Sequence, residues 1–263
     1  MSATKRLFLL LWLAGFAGIV SFLLIDLERL IEIVPLPPGT EVPQIHPLLL
    51  QVISLIQPTV ILTVAVLVGV ALASKVGLSA PAAESFASGR NWFSAIKPQI
   101  VPGIVGGVVG GIAIVLTAAA ATPFLPAEAV KLIGEFSRFI PLPTRILYGG
   151  ITEELLLRWG LMTLLVWLML RLFQKGQGEP KGSFVVAAIL ISSFVFGIGH
   201  LPIAFMLFSE PTTVLMLFVV VANSLFGLIA GWLYWKKGLE SAMIAHIVTH
   251  LVLFTASLTG TYF

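Results

Sequence analysis

Apolar positions along this chain run on for about twenty residues at a time, without the regular polar interruptions of a half-buried surface helix. At ~1.5 Å rise per residue such a run crosses a bilayer core of ~30 Å. Seven can be drawn, over roughly 7–25, 48–74, 99–122, 143–173, 183–200, 212–235 and 239–258. One segment has a different period. In "AEAVKLIGEFSRFI", residues 127–140, Ala129, Leu132, Ile133, Phe136 and Ile140 share one helical face, while Glu128, Lys131, Glu135 and Arg138 share another. That spacing predicts a helix lying in the membrane interface. The loop from Asp26 to Pro47 carries Pro35, Pro37, Pro38, Pro43 and Pro47, so its second half is expected to be extended. The pattern therefore predicts an all-α, polytopic integral membrane bundle of about seven transmembrane helices plus one interfacial helix.

Composition excludes the alternative of a large soluble domain. Of the 263 residues 58% are hydrophobic and 10% charged, too little charge to cover a soluble surface, and mean hydropathy is +1.06. The chain has no cysteine, which removes disulfides, thiolate metal sites and a Cys nucleophile together. Membrane lipid is the expected surroundings, and no nucleic-acid partner is expected. The net charge of +3 matters through its distribution. Lys5 and Arg6, then Lys75, Arg90 and Lys97, then Arg171, Lys175 and Lys181, then Lys236 and Lys237 fall in alternate connections, and the intervening ones are poorer in Lys and Arg. The positive-inside bias puts the N-terminus in the cytosol and the C-terminus outside. Trp232, Tyr234 and Trp235 beside the last lysine pair read as an interfacial belt on that inner face. The first run is expected to be a retained helix and not a cleaved signal, since no clean small-x-small site follows it.

Glycines mark close packing. Gly103 with Gly107, Gly106 with Gly110, and Gly107 with Gly111 recur at four-residue spacing, as do Gly227 and Gly231, although glycine is common in membrane helices anyway.

The chemistry sits where lipid-soluble helices should carry none. "GGITEELLLRWG", residues 149–160, puts Glu153, Glu154 and Arg158 near the middle of the fourth run, where each ionised group costs on the order of a few kcal/mol. They must face protein, water or each other. Glu154 and Arg158 are four apart and can pair directly, while Glu153 lies about 100° round an α-helix from Glu154. A structural ion cluster would explain this much. Three of the four histidines, however, also fall in the apolar runs: His200 beside Pro202, where a helix is expected to end, and His246 and His250, one turn apart in "AHIVTH". Three imidazoles and two carboxylates read as a site.

These residues also carry a resemblance. "EELLLR" (Glu153, Glu154, Arg158), "FGIGH" (Phe196, His200) and "HIVTH" (His246, His250), in this order, resemble the EExxxR, FxxxH and HxxxN/H motifs of the CPBP family, which takes in type II CAAX prenyl endopeptidases and bacteriocin-processing and Abi-type proteins. His250 stands where CAAX endopeptidases have Asn. The resemblance covers residues 143–258, a catalytic membrane core, and leaves 1–142 as N-terminal membrane helices and loops. It implies an intramembrane peptidase acting on membrane-associated peptides or prenylated proteins. Glu153 would be the base for a water, Glu154 with Arg158 the orienting pair, and His200, His246 and His250 would surround an oxyanion or a metal; swapped glutamate roles stay open. Glu153, His200, His246 and His250 are donors suited to zinc, but the helix lacks HExxH, and a metal-free scheme is placed slightly ahead. Two other functions fit the same residues: a proton- or metal-coupled transporter, disfavoured by the lack of an internal repeat, and a non-catalytic scaffold or immunity protein.

Overall fold

The computed structural model describes residues 1–27, 29, 30 and 46–262. The expectation of extended backbone before Pro47 falls almost wholly outside them. Pro47 itself opens a helix, at the first-turn position where its missing N–H costs nothing.

Among the described residues every regular element is helical. In chain order they are α1 (Ala3–Val20), α2 (Pro47–Ser54), α3 (Ile56–Leu72), α4 (Pro81–Ala87), α5 (Trp92–Ala121), α6 (Ala127–Phe139), α7 (Leu142–Phe173), α8 (Gly182–Gly199), α9 (Leu201–Leu207), α10 (Thr213–Lys237) and α11 (Leu239–Leu258). Seven helical stretches are long and apolar enough to cross a membrane, and they coincide with the seven runs read from the sequence. This is a polytopic, all-α membrane bundle. Its apolar residues point both ways. Val60, Val64 and Leu67 are exposed on the outer face of α3, where lipid would cover them, while Leu62 and Val66 are buried on its inner face.

The third span begins at Trp92, not near residue 99, because Asn91 caps it by accepting from the backbone N–H groups of Phe93 and Ser94. Pro98 and Pro102 then lie inside the helix, which neighbouring helices make tolerable in a membrane.

The glycines of α5 form two seams. Gly103, Gly107 and Gly111 face α11: a Cβ on Gly107 would lie 2.5 Å from the Ala245 carbonyl oxygen. Gly106 and Gly110 face Leu233 and Phe226 of α10, and Gly227 and Gly231 let α10 approach Ser193 and Ile189 of α8. Backbone contact at these points fixes the register of the three helices that carry the histidines and their support.

A polar knot sets the height of α11. Fully buried Gln99 accepts from the Ser241 N–H at 3.1 Å, Ser241 donates its hydroxyl to the Gln99 carbonyl, and Glu240 accepts from the Ala83 N–H at 2.8 Å. Gly238 makes this turn at φ +116, where a side chain would also strike Pro81 and Gln99. Nothing in the apolar periodicity announced this knot.

One aromatic reading is corrected. Tyr234 is not in an interfacial belt: it is 1% exposed and shares a 2.8 Å hydrogen bond with Thr163 in the core. Trp232 does face outward, and Trp235 packs under the Lys236 ammonium.

Candidate functional site

The helix that carries the carboxylates is not an α-helix where it matters. Within α7, Arg145–Glu153 and Leu155–Met162 are π-helical, closing each turn five residues on. Thr152 and Thr163 bend their hydroxyls back to the carbonyls five residues earlier, Leu147 and Arg158. Long π stretches are rare and cluster at functional sites. Here the wide turn is locked by its neighbours: Gly149 and Gly150 give way to His250 and Ile247 of α11, Gly160 to Ala65 of α3, and the Thr152 hydroxyl donates to the Gly15 carbonyl of α1.

Glu154 and Arg158 are fully buried, and their ion pair forms as expected, with Nη1 3.2 Å from Oε1. That contact is not aligned as a hydrogen bond. Arg158 is held instead by Nη2, which donates to the Gly227 carbonyl at 3.1 Å, and by the faces of Phe196 and Phe226, 5.0 and 5.9 Å from Cζ. The same Glu154 Oε1 accepts from His246 Nδ1 at 2.7 Å, so Arg158, Glu154 and His246 form one chain of contacts. Glu153, whose side chain retains 17% exposure, faces the other ring nitrogen: its Oε2 lies 3.8 Å from His246 Nε2. The two glutamates thus bracket one imidazole.

His200 caps α8, and α9 restarts one residue later with Pro202 in its first turn. Its Nδ1 donates to the Phe196 carbonyl at 2.9 Å, because a carbonyl can only accept. The Phe196 ring stands edge-on between His200 and His246, 4.7 and 5.7 Å from each. His250 stacks on His246 at 4.9 Å, with its Nε2 turned onto Gly149, buried and, among the described residues, without a hydrogen-bond partner. The structure gathers Glu153, His200, His246 and His250 on one cavity of about 440 Å³.

Most of that cavity is apolar, and its wall includes groups not singled out from the sequence. Ile133 and Phe136 show that the amphipathic α6 turns its apolar face onto the cavity as a roof. Tyr148, Asn223 and Thr249 add polar atoms, and Arg145 adds a guanidinium whose Nε is bonded to the Ile140 carbonyl. Asn223 could have been noticed as a lone amide in the apolar run "VVVANSLFG". Tyr148 gave no such signal, since an aromatic near a helix end reads as an interface anchor.

The donor types suit zinc, and two imidazoles are held by Nδ1 in the way metal ligands often are. The arrangement does not fit: among the described residues no three His, Cys or carboxylate side chains gather into a group that could hold an ion.

Fold and site together define a multi-pass membrane protein with a carboxylate and imidazole centre inside the bundle, at the end of an apolar cavity. Residues 136–252, a little under half of the chain, match the family model described as type II CAAX prenyl endopeptidase Rce1-like. Over this region the chain is similar to the CPBP family of intramembrane proteases. The resemblance drawn from the three motifs is borne out. No curated protein and no solved structure matches the chain.

Proposed function

We propose that this chain hydrolyses a peptide bond of a membrane-associated or lipidated peptide, residues 143–258 forming the catalytic core and Glu153 acting as general base. The observation that carries the reading is the unequal environment of the two glutamates. Glu154 has no exposed surface and is committed to Arg158 and His246, whereas Glu153 opens onto the cavity. A base needs access to water; an orienting group needs fixed partners.

The steps follow from the contacts. Glu153 takes a proton from a water whose oxygen adds to the substrate carbonyl carbon. Nδ1 of His246 is held by the Glu154 carboxylate, so the neutral ring presents Nε2 as an acceptor, 3.8 Å from Glu153. His246 can therefore receive the proton and pass it to the leaving nitrogen as the C–N bond breaks. Glu154 stabilises the imidazolium formed on the way, as the carboxylate of a catalytic triad does. His200, with Nδ1 likewise committed, offers Nε2 as a second acceptor that orients the water. The products are a new carboxylic acid and a free amine.

Purified protein in proteoliposomes is expected to cleave an internally quenched, prenylated peptide and to place one ¹⁸O from labelled water in the new carboxyl group. Ion flux without cleavage in the same vesicles would favour the transporter reading and sink this one. We propose further that the reaction needs no metal. Metal analysis of active protein should then find less than stoichiometric zinc, and activity should survive chelation. Zinc that leaves with activity on chelation and restores it on return would overturn that scheme.

The charge bias supports an orientation with the N-terminus in the cytosol and the roofed end of the cavity outside. Ser137 of α6 lines that end, and the chain has no native cysteine. Ser137→Cys is expected to react with a membrane-impermeant thiol reagent applied from outside. Labelling from the cytosolic side alone would reverse the proposed topology.

A further inference from the structure

The imidazoles and Thr249 give the cavity hydrogen-bond acceptors for a water more readily than donors for an oxyanion, which leaves Arg145, Asn223 and Tyr148 as its donors, Arg145 through Nε bonded to the Ile140 carbonyl and Asn223 through Nδ2 bonded to the Val219 carbonyl. His200 and His246 both commit Nδ1–H to fixed acceptors, so their neutral rings offer lone pairs at Nε2. The Thr249 hydroxyl is spent on the Gly107 carbonyl at 2.9 Å, and His250 Nε2 is shut against Gly149. A tetrahedral intermediate nevertheless places negative charge on the former carbonyl oxygen, and a preorganised donor there is commonly the largest single contribution to the rate.

We propose that the hydroxyl of Tyr148 is that donor, a catalytic residue contacting the substrate carbonyl oxygen; the inference rests on the peptidase reading above. Tyr148 lines the cavity with Glu153, and its ring is set by Phe22 of the turn after α1, with centroids 4.4 Å apart. The two residues are five apart. An α-helix, at 3.6 residues per turn, would carry position 148 about 140° round from 153, whereas the wider turn of a π-helix brings the two nearer to one face. Arg145–Glu153 is π-helical over this whole interval, and phenol and carboxylate both line the same cavity. Tyr148 is an electrostatic neighbour of Glu153, and among the described residues no hydrogen bond commits its hydroxyl. Base and donor thus come from consecutive turns of one rigid helix, locked by Gly149 and Gly150 against α11. The π winding acquires a catalytic purpose: it aligns attack on the carbonyl carbon with stabilisation of its oxygen.

Tyr148→Phe keeps the ring against Phe22 and removes the hydroxyl alone. With the quenched prenylated peptide as probe, kcat is expected to fall by about 10²-fold, the lower end of the effect of removing one oxyanion donor, with KM changed less than about twofold and the thermal unfolding midpoint unchanged. Site-specific fluorotyrosine at 148, a more acidic donor of nearly the same shape, should exceed the wild-type rate, which a packing role would not explain. An unchanged kcat in Tyr148→Phe, or a change confined to KM, overturns the proposal. So does loss of stability matching the loss of rate. If Asn223→Ala lowers kcat by about 10²-fold while Tyr148→Phe does not, the donor is the Asn223 amide and this assignment is wrong. Failure of the underlying reading looks different: wild-type protein then cleaves nothing, or Glu153→Gln cleaves at the wild-type rate.

Discussion

Glu153→Gln is expected to lower kcat by about 10²- to 10⁴-fold, the span that a positioned general base contributes, without loss of folded protein. The amide keeps the size and hydrogen-bonding shape of the carboxyl, and among the described residues Glu153 has no partner closer than the 3.8 Å contact to His246, so with a neutral imidazole no ion pair is broken. Glu154→Gln should differ in kind. It weakens the contacts that hold His246 and Arg158, so its effect should include altered thermal stability along with a lower rate. Rates for both variants, measured beside unfolding midpoints in detergent, separate base from orienting group. A Glu153→Gln protein with more than a tenth of wild-type kcat, next to an inactive but stable Glu154→Gln, would transfer the base to Glu154 and reverse the mechanism.

How far this could be read from residues alone depends on the scale of the signal. Membrane spans are announced by some twenty residues each, and all seven were recovered, with errors confined to ends such as Trp92, where a single capping Asn outweighs the hydropathy of the run. Charges in apolar surroundings are equally plain because they are costly there, so Glu153, Glu154, Arg158 and the three histidines could be listed and their convergence expected. The winding between them could not. A π-turn differs from an α-turn by one residue per closure and leaves no periodic mark in nine residues. The glycines that permit it, Gly149, Gly150 and Gly160, are indistinguishable in sequence from the packing glycines of α5. For that reason Tyr148 was passed over and Glu153 was placed on α-helical geometry.

Arg158→Ala is expected to cost both activity and stability, and the two can be pulled apart. The substitution leaves the Glu154 carboxylate fully buried with only His246 beside it, removes the donor to the Gly227 carbonyl, and empties the space between Phe196 and Phe226. Removing one partner of a buried pair typically costs about 3–5 kcal/mol, chiefly through the uncompensated charge that remains. Among the described residues Glu154 Oε2 already lacks a hydrogen-bond partner, so the site has little spare capacity to absorb that charge. The double variant Glu154→Gln with Arg158→Met removes the charge along with its partner and refills the space with an apolar stem of similar length. Replacing a buried pair in this way is often neutral for stability, so the unfolding midpoint should recover most of what Arg158→Ala loses. The rate should not recover, because no carboxylate would then hold His246 Nδ1 as the ring carries the proton. If the double variant regained turnover together with its midpoint, the pair would be a packing device alone, and Glu153 with His246 would suffice for catalysis.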